Sequence, residues 1–600
     1  MVGWYEPRQL ARTAYQVFLS TIFGRHADRR LLQAEPVTAD SSVKLSFDFS
    51  QVDGPFWFDY IADVGDGFDS TYTMASCLVQ PELELAEPNA SASLHRTERG
   101  RILVFGGDEV YPAASADVYR ERLIRPYMAA FPGTEDAEDH PKLDSQPAVF
   151  AIPGNHDWYD SLVAFSDLFM RNEPFCGWRT MQKRSYFALR LPHGWWLFGT
   201  DTQLGSSLDR PQVDYFASVM KDVPAEDRII LCNAEPNWIN AELFRNDPGY
   251  TDQQMTDFTE NVLRGQVAIS IAGDRHYYRR HEEVVKGGSP SHNLMVRRQK
   301  ITAGGGGAFL HPTHNEDVDR IGKSPAYKLK KSFPEPRDSR RLNYWNLLFP
   351  LWNPSFGLVT AVLYLLTARA FLSNIGAYKW SDVHLAVLTV MHDTLTEPFS
   401  LYWVLLFFIG FLFFTDTSSK LYRWFAGIIH AVAHLAATFL LSWQVSYWLS
   451  DGRGLDFGST VELLKASVLI FAGGWILGSV IMGIYLFVSL NVFGRHHNDA
   501  FSALKIADYK NFLRLKIEEN GDLVIFPIGV RKAVKNWKFS KGANGEQRIT
   551  AKAVRPENLP ILIEKPIRFA KASASDVRPV NISGGRSGEN DGNVISIGVS

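Results

Sequence analysis

The tetrapeptide Gly154-Asn155-His156-Asp157 follows directly on a short apolar run, Ala148–Ile152, and is the most specific stretch of this chain. Three other segments place acidic or histidine side chains after an apolar run in the same way: Asp63-Val64-Gly65-Asp66, Gly107-Asp108-Glu109-Val110-Tyr111 and Gly273-Asp274-Arg275-His276. A strand end followed by a glycine turn is where an α/β fold presents side chains to a ligand crevice. Carboxylates, an amide oxygen and imidazoles gathered there predict a cluster of metal ligands.

These segments resemble the sequence blocks of the calcineurin-like metallophosphoesterase superfamily. The first two, Asp63–Asp66 and Gly107–Tyr111, are more similar to the purple acid phosphatase branch, and the resemblance covers roughly residues 55–310. It implies a four-layer sandwich of two packed sheets that carries a dinuclear metal centre. Two cations neutralise the charge that protects a phosphate ester from nucleophiles, and they acidify a bound water. The resemblance therefore implies a hydrolase that acts on phosphoesters. It also implies a membrane-attached member of the superfamily, of the bacterial or plant type.

The resemblance also assigns the metal ligands. It makes Asp108 the carboxylate that bridges two ions, Asp63 and His276 ligands of the first ion, and Asn155 a ligand of the second. Tyr111 matches the tyrosine that binds a trivalent metal in purple acid phosphatases, and a packed aromatic side chain fits the same pattern. The implied cofactors are two divalent ions, or one trivalent and one divalent, drawn from manganese, iron and magnesium.

Catalytic and substrate-binding roles fall on two further groups of residues. By the resemblance, His156 protonates the leaving oxygen or stabilises charge on the phosphorane, and Asp157 orients that imidazole. The run Gly304–His314 contains four consecutive glycines, whose backbone amides could approach an anion closely. Gly305, His311 and His314 are therefore predicted to contact the substrate, and a tight loop with surface histidines is the alternative.

Two blocks depart from the family pattern, and both departures affect the second ion. Ala234 stands where the fourth block should have its histidine, and Asp274 replaces the first histidine of the fifth block. The predicted shell of the second ion is then a set of oxygen donors: Asp108, Asn155, Asp274 and Asn233. Such donors favour Mg²⁺, Mn²⁺ or Ca²⁺ over Zn²⁺.

Composition sets broad limits on the class of protein. At 600 residues the chain is long enough for two or more domains. A net charge of −3 gives no reason to predict a nucleic-acid partner, and three cysteines form no disulfide framework and suit a reducing compartment. Oligomeric state cannot be inferred from the sequence.

Short apolar runs alternate with helical patterns along the first half of the chain, which predicts an α/β core. The predicted strands are Trp57–Ala62, Ile102–Phe105, Ala148–Ile152, Trp195–Phe198, Ile229–Leu231 and Ala268–Ala272. The predicted helices include Tyr119–Ala130, Ser161–Arg171 and Asp252–Leu263. Later in the chain, apolar runs around Asn520-Gly521-Asp522 predict a β-hairpin.

Four later segments have the length and composition of membrane spans, for which about 20 apolar residues are needed. They are Phe356–Leu372, Pro398–Phe414, Trp424–Leu449 and Ala466–Phe493. The stretch Ser381–Phe399 carries charged and histidine residues and is predicted to be interfacial or re-entrant. Within the third span, His430 and His434 lie four residues apart, and hydrogen bonding between helices is favoured over metal or haem binding.

Basic residues between positions 323 and 341 precede the first span and predict a cytoplasmic location for that side. The predicted division is an N-terminal helical segment (1–50), a metallophosphoesterase domain (51–320), a basic linker (321–345), a transmembrane region (346–494), a small β-rich C-terminal module (495–570) and a disordered tail (571–600). Four spans place both the metal-bearing domain and the C-terminal region in the cytoplasm.

The sequence thus predicts a membrane-anchored phosphoesterase that hydrolyses a phosphate mono- or diester, with a phosphoester substrate and the lipid bilayer as partners. The alternative is a catalytically impaired membrane sensor or scaffold that keeps the fold and one metal site. A channel or transporter gated by the soluble domain is a third hypothesis, which rests only on the four spans and the two intramembrane histidines.

Overall fold

The computed structural model of the chain describes residues 1–12, 15, 45–88, 90–131, 147–202, 208–245, 252–284, 297–322, 325–375, 379–415, 419–451, 455–541 and 547–571. Within the predicted N-terminal segment, residues 7–12 are helical. Positions 16–44 and nearly all of the predicted tail lie outside the described residues. The predicted α/β class, with long apolar helices in the second half of the chain, is confirmed.

The described part of the chain forms two nine-stranded sheets and two short hairpins. The strands are β1 (Phe47–Asp48), β2 (Phe56–Ile61), β3 (Glu82–Glu87), β4 (Ala90–Glu98), β5 (Ile102–Phe105), β6 (Ala148–Ala151), β7 (Pro174–Phe175), β8 (Trp178–Thr180), β9 (Phe187–Arg190), β10 (Trp195–Gly199), β11 (Arg228–Asn233), β12 (Val267–Ala272), β13 (Tyr278–Glu283), β14 (Gln299–Ala303), β15 (Arg320–Ile321), β16 (Tyr327–Phe333), β17 (Lys510–Ile517), β18 (Leu523–Val530), β19 (Trp537–Lys541), β20 (Gln547–Ala551), β21 (Pro560–Leu562) and β22 (Ile567–Phe569). All six predicted strands are present.

Sheet one has the order β1-β9-β10-β11-β12-β14-β13-β16-β15. Sheet two has the order β21-β18-β17-β2-β5-β6-β8-β7, and β22 also pairs with β18. The centre of each sheet is parallel: β10, β11, β12 and β14 in sheet one, and β2, β5 and β6 in sheet two. Parallel neighbours need crossover connections, which explains the alternation of strands and helices in the sequence.

The helices are α1 (Phe68–Leu78), α2 (Ala116–Tyr119), α3 (Arg125–Ala130), α4 (Val163–Phe169), α5 (Arg210–Val219), α6 (Asn237–Leu243), α7 (Gln253–Asp257), α8 (Pro336–Asn343), α9 (Phe349–Trp352), α10 (Phe356–Ile375), α11 (Val383–Thr396), α12 (Pro398–Phe414), α13 (Lys420–Leu449), α14 (Thr460–Phe493) and α15 (His497–Ser502). The residues between α2 and α3 are also helical, so residues 116–130 form one continuous element. The three predicted helices of the first half are therefore present.

Side chains of β2 point alternately into two apolar clusters, as strand geometry requires. Phe56, Phe58 and Tyr60 pack in a cluster that also contains side chains of sheet one, such as Trp195 and Ile271. Side chains on the other face of β2 belong to a cluster with residues of the helices: Trp57, Ile61, Met74, Leu78, Leu123, Tyr127, Phe165 and Phe169. A third cluster joins β10 and β11 of sheet one to α5.

The predicted division of the chain needs two corrections. The C-terminal strand β17 pairs antiparallel with β2, with Leu513 opposite Tyr60, so this part of the chain completes sheet two and is not a separate module. Within the predicted basic linker, β16 pairs with β13 and belongs to sheet one. Both corrections have one cause: pairing partners far apart in the sequence leave no mark on either strand alone. The predicted hairpin around Asn520 is confirmed as β17–β18.

Two helices, α13 and α14, are long and apolar enough to cross a membrane. Two bent helix pairs meet the same test if each pair is one span: residues 336–352 with 356–369, bent by 66°, and residues 383–396 with 398–414, bent by 98°. The described residues therefore offer two to four candidate spans, against the four that were predicted. The sharper bend lies where the predicted interfacial or re-entrant stretch Ser381–Phe399 meets the predicted span Pro398–Phe414.

Helices α10 and α14 pack closely through small residues. A Cβ added at Gly474 would lie 2.6 Å from Cβ of Tyr364, and one added at Gly478 would lie 2.4 Å from Cβ of Thr360. Glycines four residues apart allow two helix backbones to approach in this way inside a membrane. The Tyr364 hydroxyl is also 3.0 Å from His434 Nδ1 on α13, which supports the predicted hydrogen bonding between helices.

Candidate metal centre

The loops after four parallel strands bring the predicted ligands together. Asp63 follows β2, Asp108 follows β5, Asn155 follows β6 and Asp274 follows β12. Direct backbone bonds hold the first two loops together, because the Asp63 amide donates to the Gly107 carbonyl at 2.9 Å. The carboxyl ends of parallel strands are the usual position of ligand sites in α/β folds.

The Tyr111 hydroxyl lies at the centre of the predicted first-ion ligands. Its oxygen is 3.0 Å from Asp63 Oδ1, 3.1 Å from Asp108 Oδ2 and 2.9 Å from His276 Nε2. His276 Nε2 is also 3.5 Å from Asp63 Oδ1. The His276 ring is held from its other side, because Nδ1 is 2.6 Å from the Phe309 carbonyl oxygen, which makes Nδ1 the donor and leaves Nε2 facing the cluster.

Burial and mutual repulsion shift the titration of this cluster. The pKa of Asp63 is raised, first by burial and then by the charges of Asp108 and Asp274. Burial and the nearby carboxylates likewise raise the pKa of Tyr111. The pKa of His276 is lowered, mainly by burial. Without a cation, Asp63 and Tyr111 therefore hold their protons more firmly than usual, and a cation placed between them would favour their charged forms.

The backbone at the site has an uncommon conformation. Asp63, Asp108 and Asp274 all lie in the left-handed region, with φ of 58°, 54° and 64°. Few residues other than glycine adopt this region, and strained backbone tends to occur at functional sites. The carboxylates are also closely enclosed: a Cβ added at Gly304 would lie 2.3 Å from Asp63 Oδ2, and one at Gly154 would lie 2.1 Å from Asp108 Oδ1.

A backbone carbonyl holds the His156 ring. Its Nδ1 is 2.7 Å from the Pro112 carbonyl oxygen, so Nδ1 is the donor and Nε2 is free in the neutral ring. The His156 backbone amide donates to Asp108 Oδ1 at 2.9 Å, which ties this loop to the proposed bridging carboxylate. Burial lowers the pKa of His156.

Asp157 has a structural position behind the loop. Its carboxylate accepts from the Gly154 amide at 2.8 Å, from the Glu109 amide at 3.3 Å and from the Tyr119 hydroxyl at 2.6 Å. Asp157 thus shapes the turn through two backbone amides and the Tyr119 hydroxyl, and its charge acts to raise the pKa of His156, so its role in orienting that imidazole stays a prediction.

A cavity of about 370 Å³ lies over the cluster. Its lining includes the predicted residues Asp108, Tyr111, Asn155, His156, Asp274, His276 and His311. His311 stacks on the His276 ring with centroids 3.9 Å apart, and its buried Nε2 has no hydrogen-bond partner among the described residues. His311 thus lines the cavity beside His276, and its contact with a substrate stays a prediction.

Three other predicted residues lie away from this cavity. The Asn233 amide oxygen accepts from the Thr200 hydroxyl at 2.7 Å, and Asn233 lines a different cavity beside α6. His314 is buried between Ser339 and Asn491, to which its two ring nitrogens are bonded. Gly305 packs against β17, where its carbonyl accepts from the Asn511 amide at 2.9 Å. At Gly305, the four-glycine run therefore allows the loop to pack closely against sheet two.

Several residues at the site escaped the sequence analysis. Trp4, Tyr5, Asp499 and Ser502 line the cavity, and the Trp4 ring meets His156 edge-on with centroids 6.0 Å apart. Lys510 is fully buried nearby and donates to the Ala308 carbonyl, and burial lowers its pKa to about 8. Trp4 and Tyr5 lie near the start of the sequence, and the other three residues follow α14. All are far in sequence from the family blocks, so a sequence motif would not connect them.

The residues present can be tested for their fit to a metal ion. Among the described residues, no group of three or more His, Cys, Asp or Glu side chains is arranged to hold an ion by itself. The Tyr111 oxygen adds a further possible ligand, because that oxygen contacts Asp63, Asp108 and His276. Neighbouring ligands on an ion bound at about 2.1 Å stand about 3 Å apart, which matches the three contacts of Tyr111. The distances from the Tyr111 oxygen are therefore compatible with one ion that accepts a phenolate.

Comparisons with known proteins give distant matches. No family model matches the chain, and no curated protein matches it. Among solved structures, the chain is similar to GAP50, the anchor in the inner membrane complex of Plasmodium, at 12% identity and a TM-score of 0.30, covering 46% of this chain and 78% of that chain. It is also similar to purple acid phosphatase PPD1 from yellow lupin (Lupinus luteus) seeds, at 12% identity and a TM-score of 0.30, covering 44% of this chain and 46% of that chain.

Proposed function

We propose that this chain is a metal-dependent phosphoesterase that hydrolyses a phosphate monoester or diester, with its apolar helices anchored in a membrane. One observation carries the proposal: Asp63, Asp108 and His276 converge on the Tyr111 hydroxyl, beside a cavity that His156 also lines. The core clusters support a four-layer arrangement of the family type, because one cluster lies between the sheets and two others join a sheet to helices.

The proposed first ion is held by Asp63, Asp108, Tyr111 and His276. A second ion would be held by oxygen donors of Asp108, Asn155 and Asp274, without Asn233. When bound, such ions neutralise phosphate charge and acidify a water molecule. Oxygen donors at the second position favour Mg²⁺ or Mn²⁺ there.

The proposed role of His156 is to hold a proton for the leaving oxygen. The bond from its Nδ1 to the Pro112 carbonyl fixes the ring, so that Nε2 is the atom left to carry the proton. Burial lowers the pKa of His156, and an anionic phosphate in the cavity would raise it again, because a nearby negative charge favours the imidazolium. His156 would then take up its proton together with the substrate.

The test compares Asp108→Asn with His156→Ala in the detergent-purified full chain. Bound metals are measured by mass spectrometry, and turnover is measured on p-nitrophenyl phosphate and bis(p-nitrophenyl) phosphate with added Mn²⁺ or Mg²⁺. Asp108→Asn should lose metal and turnover together, because this carboxylate would hold both ions. His156→Ala should keep its metals and lose about two to four orders of magnitude in turnover, the usual range for a lost acid.

Other results would contradict the proposal. Wild-type turnover and metal content in Asp108→Asn would show that Asp108 is not a ligand. Loss of metal in His156→Ala would make His156 a ligand instead of the acid. A wild-type protein that binds metal yet hydrolyses neither ester would favour the sensor or scaffold hypothesis, for which the missing second-ion histidines are the specific observation.

A further inference from the structure

The cavity over the candidate metal centre adjoins a second, apolar cavity among the long helices. This second cavity, which we call the groove, has a volume of about 320 Å³ and is lined by residues of α10, α12, α13 and α14. Tyr5, Leu10 and Phe414 line both the groove and the cavity over the metal centre. The cavity that holds the candidate metal ligands is therefore separated by no more than these shared side chains from an apolar space between candidate membrane spans.

The groove leads away from the metal centre into the apolar helices. Along α10 its lining runs from Phe356 to Tyr364, a length of about 12 Å at 1.5 Å per residue. The hydrocarbon of one bilayer leaflet is about 15 Å thick, so the groove is of similar depth. Leu406 on α12 lines the groove and is 59% exposed, so this side chain lies both at the groove and at the outer surface of the helices.

We propose that the ester hydrolysed at this site is a lipid phosphate, with its phosphate at the metal centre and its hydrocarbon chain in the groove. The inference rests on the proposed function and specifies its substrate class. A soluble phosphoester would leave the groove empty or filled with bilayer lipid. A phosphate attached to a long alkyl or acyl chain matches both cavities at once, because burying the chain removes apolar surface from water.

Gly410 offers a direct way to fill the groove. It lies on α12, lines the groove, and a Cβ added there would meet no atom within 4 Å. The first carbon of a larger side chain therefore has room at this position, and Gly410→Phe adds bulk at the wall of the groove. Ile409→Phe is the matched control, because Ile409 is the adjacent residue of the same helix and is 48% exposed. The control brings the same new side chain to a position that is not among the groove-lining residues.

The experiment uses n-alkyl phosphates of six, twelve and sixteen carbons as probes, at fixed mole fraction in detergent micelles. Each is measured as a competitive inhibitor of p-nitrophenyl phosphate hydrolysis, and each variant is scored by the ratio of its inhibition constants for the short and long chains. In the wild type the long chain should bind at least about tenfold more tightly than the short one. In Gly410→Phe the ratio of the inhibition constants should fall most of the way to one, and in Ile409→Phe it should stay at the wild-type value.

An equal ratio in Gly410→Phe and Ile409→Phe would overturn the inference, as would a wild-type ratio near one. Either result leaves the proposed function intact, because hydrolysis of p-nitrophenyl phosphate is measured in the same samples. If the wild type hydrolyses neither aryl ester under Mn²⁺ or Mg²⁺, the proposed function fails. Retention of tritium-labelled hexadecyl phosphate by the same three proteins then still decides whether the groove binds the chain.

Discussion

In the proposed first position, Tyr111 would limit which metal can bind. Its hydroxyl contacts two carboxylates, and burial together with those charges raises its pKa, so a phenol without a cation keeps its proton. Only an ion that strongly favours the phenolate can displace that proton in a site already rich in negative charge. A trivalent ion meets this requirement better than Mg²⁺, which suits water and carboxylate ligands.

A substitution of one atom tests this assignment. Protein loaded with iron in air should show a visible absorption band from charge transfer between phenolate and Fe³⁺, and Tyr111→Phe should lack it while keeping its fold. Tyr159→Phe is the matched control, because Tyr159 lines the same cavity without contacting the predicted ligands of the first ion in the way Tyr111 does. A band of unchanged intensity in Tyr111→Phe would show that this tyrosine is a packed aromatic.

At the scale of elements, the insertion of β17 into sheet two depends on a buried ion pair. Arg514 of β17 donates to Asp59 of β2 from Nε at 2.7 Å and from Nη2 at 3.1 Å, and both side chains are almost fully buried. Nη2 also donates to the Leu78 carbonyl at the end of α1, at 3.0 Å. One guanidinium thus joins the C-terminal strand to the first central strand and to its crossover helix.

Arg514→Met should lower the free energy of unfolding by about 3–5 kcal/mol, because it leaves the Asp59 charge buried without its partner. Equilibrium urea unfolding in detergent, followed by circular dichroism, measures this change. Arg568→Met removes an exposed ion pair between Arg568 of β22 and Glu518. This substitution should lower the free energy of unfolding by less than about 1 kcal/mol. Similar losses in both variants would show that β17 does not rely on the buried pair.

The same elements show how far the sequence could predict the structure. Strands such as Ile102–Phe105 were predictable because a buried parallel strand is a short apolar run. The place of β17 was not, because its partner β2 lies about 450 residues earlier and strand pairing leaves no local pattern. Likewise, the sequence blocks point to His156 and Asp157, but the bond from His156 to the Pro112 carbonyl could not be predicted, because every residue has a carbonyl.

At the scale of the whole molecule, sheet two constrains how the chain can cross a membrane. The strand β2 precedes all the candidate spans and β17 follows them, yet the two are hydrogen-bonded neighbours. Both flanks of the apolar region must therefore lie on the same side of any membrane. The number of spans between them must be even, so two and four are compatible with the fold and three is not.

Cysteine labelling decides between these topologies and tests the proposed orientation. Single cysteines are placed at the exposed positions Glu226 and Glu557. In cells, both should react with an impermeant reagent only after the membrane is made permeable, which is the behaviour of cytoplasmic sites. A cysteine at Asp451, which is exposed at the end of α13, should react from outside in intact cells. A further cysteine at Lys379, before α11, separates the two even models, because only four spans place it outside. If Glu226 and Glu557 label from opposite sides, β2 and β17 cannot pair in the membrane-bound protein. Sheet two, the candidate metal centre beside it and the adjoining groove would then all need a different description.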